Sequence, residues 1–350
     1  MNLTPKWRAV LVERQCNVAP RIGEALPPAA RRLLTDMGLF ASFQTQGHAP
    51  CYGNRSVWGA SEPAETDFLR DPHGHGWHLD RARFDSWLRS LAVDSGALLL
   101  APVRIDTIDR SRGRWSLVVA CADRRILVRA SFLIDAGGRA APLARRLGAR
   151  RRACDRLICG FSEGQADAAG RGNGITFVEA TAQGWWYTAP LPGRRRILAF
   201  HTDADLPATR VARDRDRLIT AATSLGELGA LLSECGFRPT DRCGVTAAHG
   251  AVLQPCAGNG WVAAGDAALA FDPISAQGLL NALVTGLAAA ETADRVLSGG
   301  TDTSADYAQA IDAIQQAYHH HRAVAYRAET RWPDSPFWQR RHSHIDRIGS

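Results

Sequence analysis

The chain of 350 residues is 45% hydrophobic and 22% charged, which is the composition of an ordinary globular protein long enough to bury a sizeable core. No apolar run has the length needed to span a bilayer, and the first residues, Met1–Lys6, lack the apolar segment of a secretory signal. The eight cysteines are scattered without a Cys-x-x-Cys pair, so we expect a reduced, cytoplasmic protein that binds no metal.

The net charge of +7 comes almost entirely from arginine, because Lys6 is the only lysine. Arginine clusters such as 145–146, 150–152 and 194–196 are the kind of feature that marks a nucleic-acid surface. However, no helix-turn-helix, zinc-finger or aromatic RNA-binding pattern accompanies them. We therefore interpret them as solvated surface and expect no nucleic-acid partner.

The first predicted element is a short strand over 9–12 that ends in Glu13. In dinucleotide-binding folds, an acidic residue at the end of the second strand accepts hydrogen bonds from the adenosine ribose. It normally lies about 20 residues beyond a Gly-x-Gly-x-x-Gly loop, but only 12 residues precede Glu13 and none of them is glycine. We therefore expect a start upstream of this chain; the alternative is a degenerate, non-catalytic protein.

A helix is predicted over 29–38, before a glycine-rich loop that holds His73, His75 and His78. These histidines lack the i, i+4 spacing and the carboxylate companion of a hydrolytic zinc site, so we predict no metal there. A second helix is predicted from Phe84 to about Ser95. Short strands follow, over 98–100, 104–109, 115–120 and 125–129.

Two further strands end in glycine and a carboxylate and then lead into a helix. One runs over 132–135 and ends in Asp135-Ala-Gly-Gly, and the other runs over 261–264 and ends in Gly265-Asp266. At such a corner the glycine lets the backbone approach a ligand, the helix amides donate to phosphate, and the carboxylate accepts from a sugar hydroxyl. The repeated corner favours a nucleotide-like ligand; the alternative is a turn that only joins two core elements.

The middle of the chain is rich in predicted strands, over 157–163, 174–180, 184–190 and 196–203, which favours an antiparallel sheet as a separate layer. Within it, strand alternation places Trp185 and Tyr187 on one face and Trp186 on the other. These aromatic residues either pack in the core or line an apolar substrate cavity. A long helix is predicted over 305–330, and the tail over 331–338 contains two prolines.

Taken in chain order, these segments resemble FAD-dependent oxidoreductases of the p-hydroxybenzoate-hydroxylase-like fold. The resemblance is to the branch of tryptophan-halogenase-like proteins, geranylgeranyl-reductase-like proteins and the flavoproteins that mature quinone cofactors. It covers nearly the whole chain and is carried by segments 10–14, 21–24, 78–85, 135–139, 184–187, 265–266 and 272–278. Because the first strand and its glycine-rich phosphate loop are missing, the resemblance implies an N-terminally truncated member.

The fold implied by this resemblance is α/β. A Rossmann-like FAD-binding domain, without its first strand and Gly-rich loop, comprises residues 1–150 and 245–300. An inserted antiparallel β-sheet domain for the substrate comprises 151–244 with part of 45–78. Residues 301–350 form a C-terminal helix and tail.

The resemblance also implies contacts with FAD, and it assigns no catalytic residue. The isoalloxazine ring would lie against the turn after Asp272, where helix amides stabilise negative charge on reduced flavin. The implied substrate pocket contains Trp185 and Tyr187. The implied FAD contacts are Glu13 (adenosine ribose), Arg14, Arg21, Arg81 (pyrophosphate side), Asp135 and Gly137 (adenosine half), Asp266 (ribityl chain or pyrophosphate), and Pro273, Gln277 and Gly278 (isoalloxazine).

The function implied by the resemblance is that of a monooxygenase. Reduced FAD, supplied with electrons by NADH or NADPH directly or through a reductase, would react with oxygen to a C4a-hydroperoxide. The expected substrate is an aromatic or apolar molecule, including a tryptophan side chain of a peptide or protein. The protein would position that substrate and exclude water.

Three alternatives remain open. A halogenase would need an active-site lysine and a Trp-x-Trp-x-Ile-Pro segment, whereas only Lys6 is present and the segment reads Trp-Trp-Tyr-Thr-Ala-Pro. An isoprenoid reductase would act without oxygen. A non-catalytic or FAD-deficient homologue would retain the fold without the cofactor.

Overall fold

The computed structural model describes residues 7–122, 124–167, 174–301 and 303–346, so Lys6 lies outside the described part of the chain. Its strands are β1 (Val10–Val12), β2 (Ala25–Leu26), β3 (Ala49–Cys51), β4 (Gly53–Val57), β5 (Ala64–Asp67), β6 (Gly76–His78), β7 (Leu98–Leu100), β8 (Arg104–Ser111), β9 (Arg114–Cys121), β10 (Arg124–Ala130), β11 (Leu133–Asp135), β12 (Arg150–Ala153), β13 (Leu157–Gln165), β14 (Ile175–Thr181), β15 (Gly184–Leu191), β16 (Arg195–Asp203), β17 (Arg238–Ala247), β18 (Ala251–Gln254), β19 (Ala257–Gly258), β20 (Trp261–Ala263) and β21 (Leu269–Ala270). Its α-helices are α1 (Ala30–Asp36), α2 (Phe40–Gln44), α3 (Arg81–Asp94), α4 (Pro142–Arg146), α5 (Thr209–Ala212), α6 (Arg215–Thr223), α7 (Gly226–Glu234), α8 (Gly278–Leu297), α9 (Ser304–Arg327) and α10 (Pro336–Asp346).

Short parallel strands form two pairs. β1 pairs with β7, and β11 pairs with β20 so that Asp135 lies opposite Ala263 at the carboxyl ends. The second pair is buried by the two long helices, because Val262 shares a hydrophobic cluster with Ala289 of α8 and Ile311 of α9. The two strands predicted to end in glycine corners are therefore present, and they pair in parallel.

A small antiparallel sheet, in the order β2-β6-β3, packs on helices α1, α2 and α3. Its core is aromatic, with Phe43, Trp77 and Phe84 in edge-to-face contact. Helix α3 begins where it does because Asp80 caps it, accepting a hydrogen bond from the Arg83 amide at 3.1 Å. The helices predicted over 29–38 and from Phe84 to about Ser95 are thus confirmed as α1 and α3, with α3 starting earlier.

The largest sheet contains seven strands within the described residues, in the order β17-β13-β16-β15-β14-β4-β5. Its neighbouring strands are antiparallel except β14 and β4, which are parallel. The expectation of an antiparallel sheet is therefore correct for the strands from the middle of the chain. It is wrong at one pairing, where β4, from the loop after α2, joins the sheet in the parallel sense.

Three helices between β16 and β17 were not predicted. Helices α5, α6 and α7 cover one face of the large sheet, and Leu218 and Leu228 pack there against Phe177, Trp186 and Leu198. A sheet face made of such residues must be buried against another layer. The strand-rich interpretation of 150–252 missed this layer.

The tail is also more ordered than expected. Pro336 begins helix α10, in the first helical position that proline favours, and Phe337 and Trp338 are each 0% exposed. The Trp338 indole donates a hydrogen bond to the Thr181 carbonyl at 2.9 Å, which fixes α10 against the end of β14. Among the helices that the structure describes, none combines the length and the apolar character needed to cross a bilayer.

The α/β architecture predicted from the sequence is confirmed, with its large sheet and C-terminal helices. The three strands predicted over 104–129 form an antiparallel meander, β8-β9-β10. The domain boundaries stay a prediction.

Candidate functional site

The two glycine-and-carboxylate corners lie side by side. Asp135 and Ala263 are register partners, and the Ala264 amide donates to the Asp135 carbonyl at 2.9 Å. The strands therefore end together and deliver the Gly137-Gly138 turn and the Gly265-Asp266 turn to one edge. Two of the predicted corners thus meet, as a shared ligand would require.

The Asp135 side chain stabilises its own corner through hydrogen bonds to the main chain. One carboxylate oxygen accepts from the Gly137 amide at 2.8 Å, and the other accepts from the Leu143 and Ala144 amides at 2.9 and 2.7 Å. The carboxylate, 2% exposed, is thereby engaged by main-chain donors at the start of α4. Its geometry supports the loop that a ligand would contact.

Gly137 is required by the same turn. A Cβ atom at this position would lie 2.3 Å from Cδ of Pro142 and 2.9 Å from the Asp135 carboxylate. The next residue, Gly138, has a φ of +63°, which side chains rarely adopt. Gly137 therefore permits the close packing of this corner, and Gly138 permits its sharp change of chain direction.

Two arginines accompany Asp266, and neither was predicted from the sequence as a site residue. Arg139 Nε lies 3.5 Å from Asp266 Oδ2, and Arg151 Nη1 donates to the Asp266 carbonyl at 2.9 Å. Arg139 follows the glycine pair directly, which was an available signal. Arg151 belongs to the cluster 150–152, so its interpretation as solvated surface is wrong.

Arg151 retains an unused donor. Burial lowers its pKa, and the neighbouring Arg139 lowers it further. Its Nη2 is buried and has no hydrogen-bond partner in the described ranges. A buried cationic donor without an acceptor beside a half-exposed Asp266 is suited to an anionic group such as phosphate.

The turn between β21 and α8 presents a helix N-terminus. Asp272 accepts from the Ile274 amide at 3.1 Å, and Ala276 takes a left-handed φ of +50°. The first α8 amide with a helical partner is that of Asn281, which donates to the Gln277 carbonyl at 2.8 Å. The preceding amides, beginning at Gly278, are therefore directed out of the helix end and favour negative charge.

A buried network holds this turn in place from behind. The Tyr326 hydroxyl donates to Asp272 Oδ2 at 2.8 Å, and Arg322 lies 3.4 Å from the same oxygen and 2.8 Å from Asp155. Burial raises the pKa of the Asp272 carboxyl, while Arg322 opposes the shift. The predicted isoalloxazine contacts Pro273, Gln277 and Gly278 thus belong to a turn anchored by helix α9.

The N-terminal candidates occupy different surroundings. Glu13, half-buried, follows β1 and its main chain bonds to Leu100 and Val103. Within the described part of the chain, no hydrogen bond or ion pair joins Glu13 to the two corners. Arg14 and Arg21 are exposed, and Arg81 donates to the Gly23 carbonyl at 2.8 Å and pairs with Asp85 at 3.1 Å. Their roles stay predictions.

A second polar cluster lies where the small sheet meets β15. A small cavity there is lined by residues that include Glu24, Asp80, Arg81, Arg195 and Arg242. Glu24 is 4% exposed, and burial raises its pKa to about 7, although main-chain hydrogen bonds at Glu24 and Gly23 and then the charges of Arg81 and Arg242 lower it. In the sequence, Glu24 belongs to segment 21–24, which carries the family resemblance, and no site role was predicted for it. In the sequence this position is marked by the preceding Gly23, but the φ of +103° at that glycine and the burial of the carboxyl become visible only in three dimensions.

The two candidate pocket residues share a face as predicted. Trp185 and Tyr187 pack in one cluster, and Trp186 packs on the opposite face. Trp185 is 1% exposed and stacks on His201 with ring centroids 3.6 Å apart. Tyr187 is only half-buried overall, but its hydroxyl is buried and has no partner in the structure as described. The substrate role of both stays a prediction, with Tyr187 the more available group.

Together, these features indicate a class of protein. Parallel strands ending in paired glycine corners, arginines beside them, an open helix N-terminus and a large sheet behind are the parts of a nucleotide-cofactor-binding α/β fold. The family model described as tryptophan halogenase matches residues 58–347. The chain belongs to the tryptophan halogenase family.

Individual proteins agree with this assignment. The putative FAD-dependent oxidoreductase LodB of Marinomonas mediterranea is 29% identical over 346 residues, covering 96% of this chain and 90% of the relative. The myxobacterial chondrochloren halogenase CndH has a similar structure, with a TM-score of 0.86 at 19% identity over 98% of this chain and 83% of that one. The flavin-dependent halogenase CmlS gives 0.83 at 22% identity over 98% of this chain, which spans 66% of CmlS.

A peptide-modifying enzyme has a similar structure as well. The peptidyl tryptophan dihydroxylase QhpG, essential for tryptophylquinone cofactor biogenesis, gives a TM-score of 0.68 at 22% identity over 96% of this chain and 73% of QhpG. The predicted resemblance to FAD-dependent halogenases and monooxygenases is confirmed at the level of family and fold. The narrower branch and the upstream start stay predictions.

The residues present fit FAD. Three groups are complementary to parts of FAD. The buried Arg151 donor that has no partner among the described residues suits phosphate, the half-exposed Asp266 carboxylate suits a sugar hydroxyl, and the outward amides at the start of α8 suit the electron-rich ring.

Proposed function

We propose that this protein is an FAD-dependent monooxygenase that hydroxylates an aromatic or apolar substrate, including a tryptophan side chain of a peptide or protein. LodB, a relative along nearly the whole chain, is described as a putative FAD-dependent oxidoreductase. QhpG, similar in fold, is described as a peptidyl tryptophan dihydroxylase. The description of LodB supports FAD-dependent redox chemistry, and that of QhpG supports oxygen transfer by a protein of this architecture.

The observation that carries the choice is the absence of lysine from the sequence after Lys6. The resemblance to halogenases implies an active-site lysine that takes up or directs hypohalous acid. Lys6 precedes β1 in the sequence, so it also precedes every strand of the large sheet. That sheet lies beside the turn between β21 and α8, which we call the cofactor turn. Without such an amine, direct transfer of oxygen to the substrate is the favoured outcome.

FAD, when bound, supplies the oxygen chemistry, with electrons from NADH or NADPH directly or through a reductase. In this proposal Arg151 and Arg139 neutralise the pyrophosphate, and Asp266 accepts a hydrogen bond from a cofactor hydroxyl. Asp135 and Gly137 maintain the conformation of the neighbouring Gly137-Gly138 turn. The amides at the start of α8 orient the electron-rich edge of the ring.

The substrate in this proposal lies on the face of β15 that carries Tyr187. Ile274, in the turn before α8, packs against the same buried cluster as Tyr187. A substrate held there would approach the cofactor turn from the large sheet. The apolar neighbours would exclude water from the reacting atoms.

Flavin retention is the first test. The 350-residue chain is mixed with FAD, desalted and scanned for flavin absorbance, beside Arg151→Gln and the matched control Arg152→Gln, an exposed residue on the same strand. We expect retention in the wild type and the control and at least a tenfold weaker affinity in Arg151→Gln. A wild-type chain that retains no flavin would favour the FAD-deficient alternative and overturn the proposal.

Product mass is the second test. The loaded protein is given NADH or NADPH, oxygen and either indole compounds or a tryptophan-containing peptide, with and without bromide. We expect a product heavier by one or two oxygen atoms in both conditions. A product in which bromine replaces hydrogen, formed only with bromide, would establish the second candidate function, halogenation, which family membership and the halogenase folds favour.

A further inference from the structure

A series of tyrosine and tryptophan side chains begins at the cofactor turn. Tyr326 of α9 is 1% exposed, and its hydroxyl donates to Asp272 Oδ2 at 2.8 Å. Asp272 directly precedes Pro273, which is a predicted contact of the isoalloxazine ring. The series therefore starts at the turn that the flavin is predicted to contact.

From Tyr326 the rings continue in contact with one another towards the surface. The ring centroids of Tyr326 and Trp338 are 6.0 Å apart, and those of Trp338 and Trp332 are 6.1 Å apart. Trp58 adds a branch, because its centroid lies 6.1 Å from that of Tyr326 and 5.4 Å from that of Trp338. All four distances are those of rings in contact. We call Tyr326, Trp58, Trp338 and Trp332 the aromatic path.

The aromatic path has a buried end and two ends that meet solvent. Tyr326 and Trp338 are 1% and 0% exposed, respectively. Trp332 and Trp58 are only partly buried, although both pack against the same cluster. The path therefore connects the cofactor turn with the surface through side chains alone.

Each member of the path is a residue that loses an electron readily. Tryptophan and tyrosine are far more easily oxidised than phenylalanine or aliphatic side chains, and electron transfer between rings in contact is fast. Four of the ten tryptophans in the sequence, including Trp185, belong to this one cluster. Packing requires only apolar side chains of suitable volume, so it does not account for an oxidisable residue at every step.

The surroundings of Tyr326 favour its oxidation together with loss of its proton. The guanidinium carbons of Arg322 and Arg341 lie 5.5 and 5.3 Å from the centroid of its ring, and positive charge there opposes a radical cation. Asp272 can take the phenolic proton, because it accepts the hydrogen bond of the hydroxyl and burial raises its pKa. The Trp185 indole donates to the same hydroxyl at 3.3 Å, which directs the proton towards Asp272.

The charge at the outer end of the path is balanced. The guanidinium carbon of Arg331 lies 4.3 Å from the centroid of the Trp332 ring. Glu329 offsets this positive charge, since its carboxylate is 2.6 Å from Arg331 Nη2. A radical cation on Trp332 therefore faces a neutral ion pair and water.

We propose that the aromatic path carries oxidising equivalents away from the cofactor turn when oxygen is activated without a substrate in place. This inference rests on the proposed oxygen chemistry. The oxidant is an oxygen-centred radical, such as hydroxyl radical, that arises at the turn. It takes one electron from Tyr326 and becomes hydroxide, while the phenolic proton passes to Asp272 across the 2.8 Å hydrogen bond.

Electrons then move inwards along the path, one at a time. Trp338 gives an electron to the Tyr326 radical, which takes its proton back from Asp272. Trp332 gives an electron to the Trp338 radical cation and is restored by a soluble thiol, which loses one electron and one proton. In sum, the hydroxyl radical becomes water, the thiol becomes a thiyl radical and the protein is unchanged.

The first test uses the FAD-loaded protein without oxygen, with a light flash as the trigger, because light-excited flavin is a one-electron oxidant. Transient absorption follows the tryptophan radical in wild type, in Tyr326→Phe and in the double variant Trp58→Phe/Trp338→Phe. The matched control is Trp186→Phe, since Trp186 is 3% exposed and packs on the opposite face of the large sheet.

We expect a long-lived tryptophan radical in wild type and in the control, and its loss in the other two proteins. Should the double variant not fold, Tyr326→Phe decides alone, because it keeps the buried ring and removes only the hydroxyl. A wild type without the radical, or a radical that persists in Tyr326→Phe, would overturn the proposal.

The second test needs neither FAD nor turnover. A soluble light-activated oxidant removes electrons from exposed rings of the flavin-free protein, and the frozen sample is studied by electron paramagnetic resonance. Ring-deuterated tyrosine identifies the tyrosyl signal. Because the path works in both directions, we expect a tyrosyl radical that is lost in Tyr326→Phe and in the double variant but kept in Trp186→Phe. A tyrosyl signal that is unchanged in Tyr326→Phe would show that the cluster only packs.

Failure of the proposed hydroxylation is distinguishable from failure of the path. Neither radical measurement depends on a hydroxylated product, so both signals would remain if the protein oxidised no aromatic substrate. If the protein retained no FAD, the electron paramagnetic resonance measurement would still decide whether Tyr326 exchanges electrons with the surface.

Discussion

Replacing Glu24 by glutamine tests the buried acid through protein stability alone, without cofactor turnover. The carboxyl is 4% exposed, and its pKa is raised from 4.5 to about 7. The folded protein therefore keeps a proton that the unfolded chain releases between these values. One pKa unit corresponds to about 1.4 kcal/mol, so this group contributes about 3 kcal/mol to the free energy of unfolding at low pH, and the contribution is lost as pH rises through about 7.

Other buried groups have shifted pKa values whose effect on the free energy of unfolding changes with pH in the opposite direction. Burial lowers the pKa of His78 and of His201 to about 3 in each case. Their contribution to stability is present above the unfolded pKa of histidine and is lost as pH falls. The wild-type profile is a sum of both effects, so only the difference between wild type and Glu24→Gln isolates the carboxyl.

Urea unfolding of wild type, Glu24→Gln and Glu62→Gln at a series of pH values provides that difference. Between about pH 4.5 and 8, we expect the free energy of unfolding of Glu24→Gln to rise by about 3 kcal/mol relative to wild type. The exposed control should change by less than about 0.5 kcal/mol. A difference between Glu24→Gln and wild type that stays constant with pH would refute the assignment of a buried, neutral carboxyl.

Two other substitutions test the cofactor turn and the first corner by the same unfolding assay. Tyr326→Phe removes the hydroxyl that donates to the buried Asp272 carboxylate at 2.8 Å, so the free energy of unfolding should fall by about 1–3 kcal/mol. Gly137→Ala places a Cβ atom 2.3 Å from the proline ring that begins α4, and should cost about 1–3 kcal/mol. Gly226→Ala, where nothing lies within 4 Å, should be neutral or stabilising. A Tyr326→Phe protein as stable as wild type, or equal losses at the two glycines, would contradict the structural argument.

Features encoded by local patterns could be predicted from the sequence. The strand ending in Asp135 and the strand ending in Gly265-Asp266 were both found, because a short apolar run before glycine is a local signal. The alternation that separates Trp185 from Trp186 was also found, since the strand period fixes the face of each side chain. The α/β class was implied by the family resemblance that such segments carry, whereas the pairing of the two corners is seen in the structure.

Features created by packing could not be predicted. Helix α6 begins at a capped position, Asp214, and buries Leu218, but the strands around it dominated the interpretation of that region. The burial of Glu24 depends on β6 and β15, which are distant in the sequence. The hydrogen bonds that the Asp135 carboxylate accepts from amides at the start of α4 become visible only in three dimensions, while the contact with FAD that the resemblance implies for Asp135 stays a prediction.

The hydroxyl of Tyr326 connects three parts of the protein: the face of β15 that carries Trp185, the cofactor turn and helix α9. Tyr326 of α9 accepts from the Trp185 indole at 3.3 Å and donates to Asp272 at 2.8 Å. A shift of the large sheet therefore strains the turn before α8, and a shift of that turn strains the sheet.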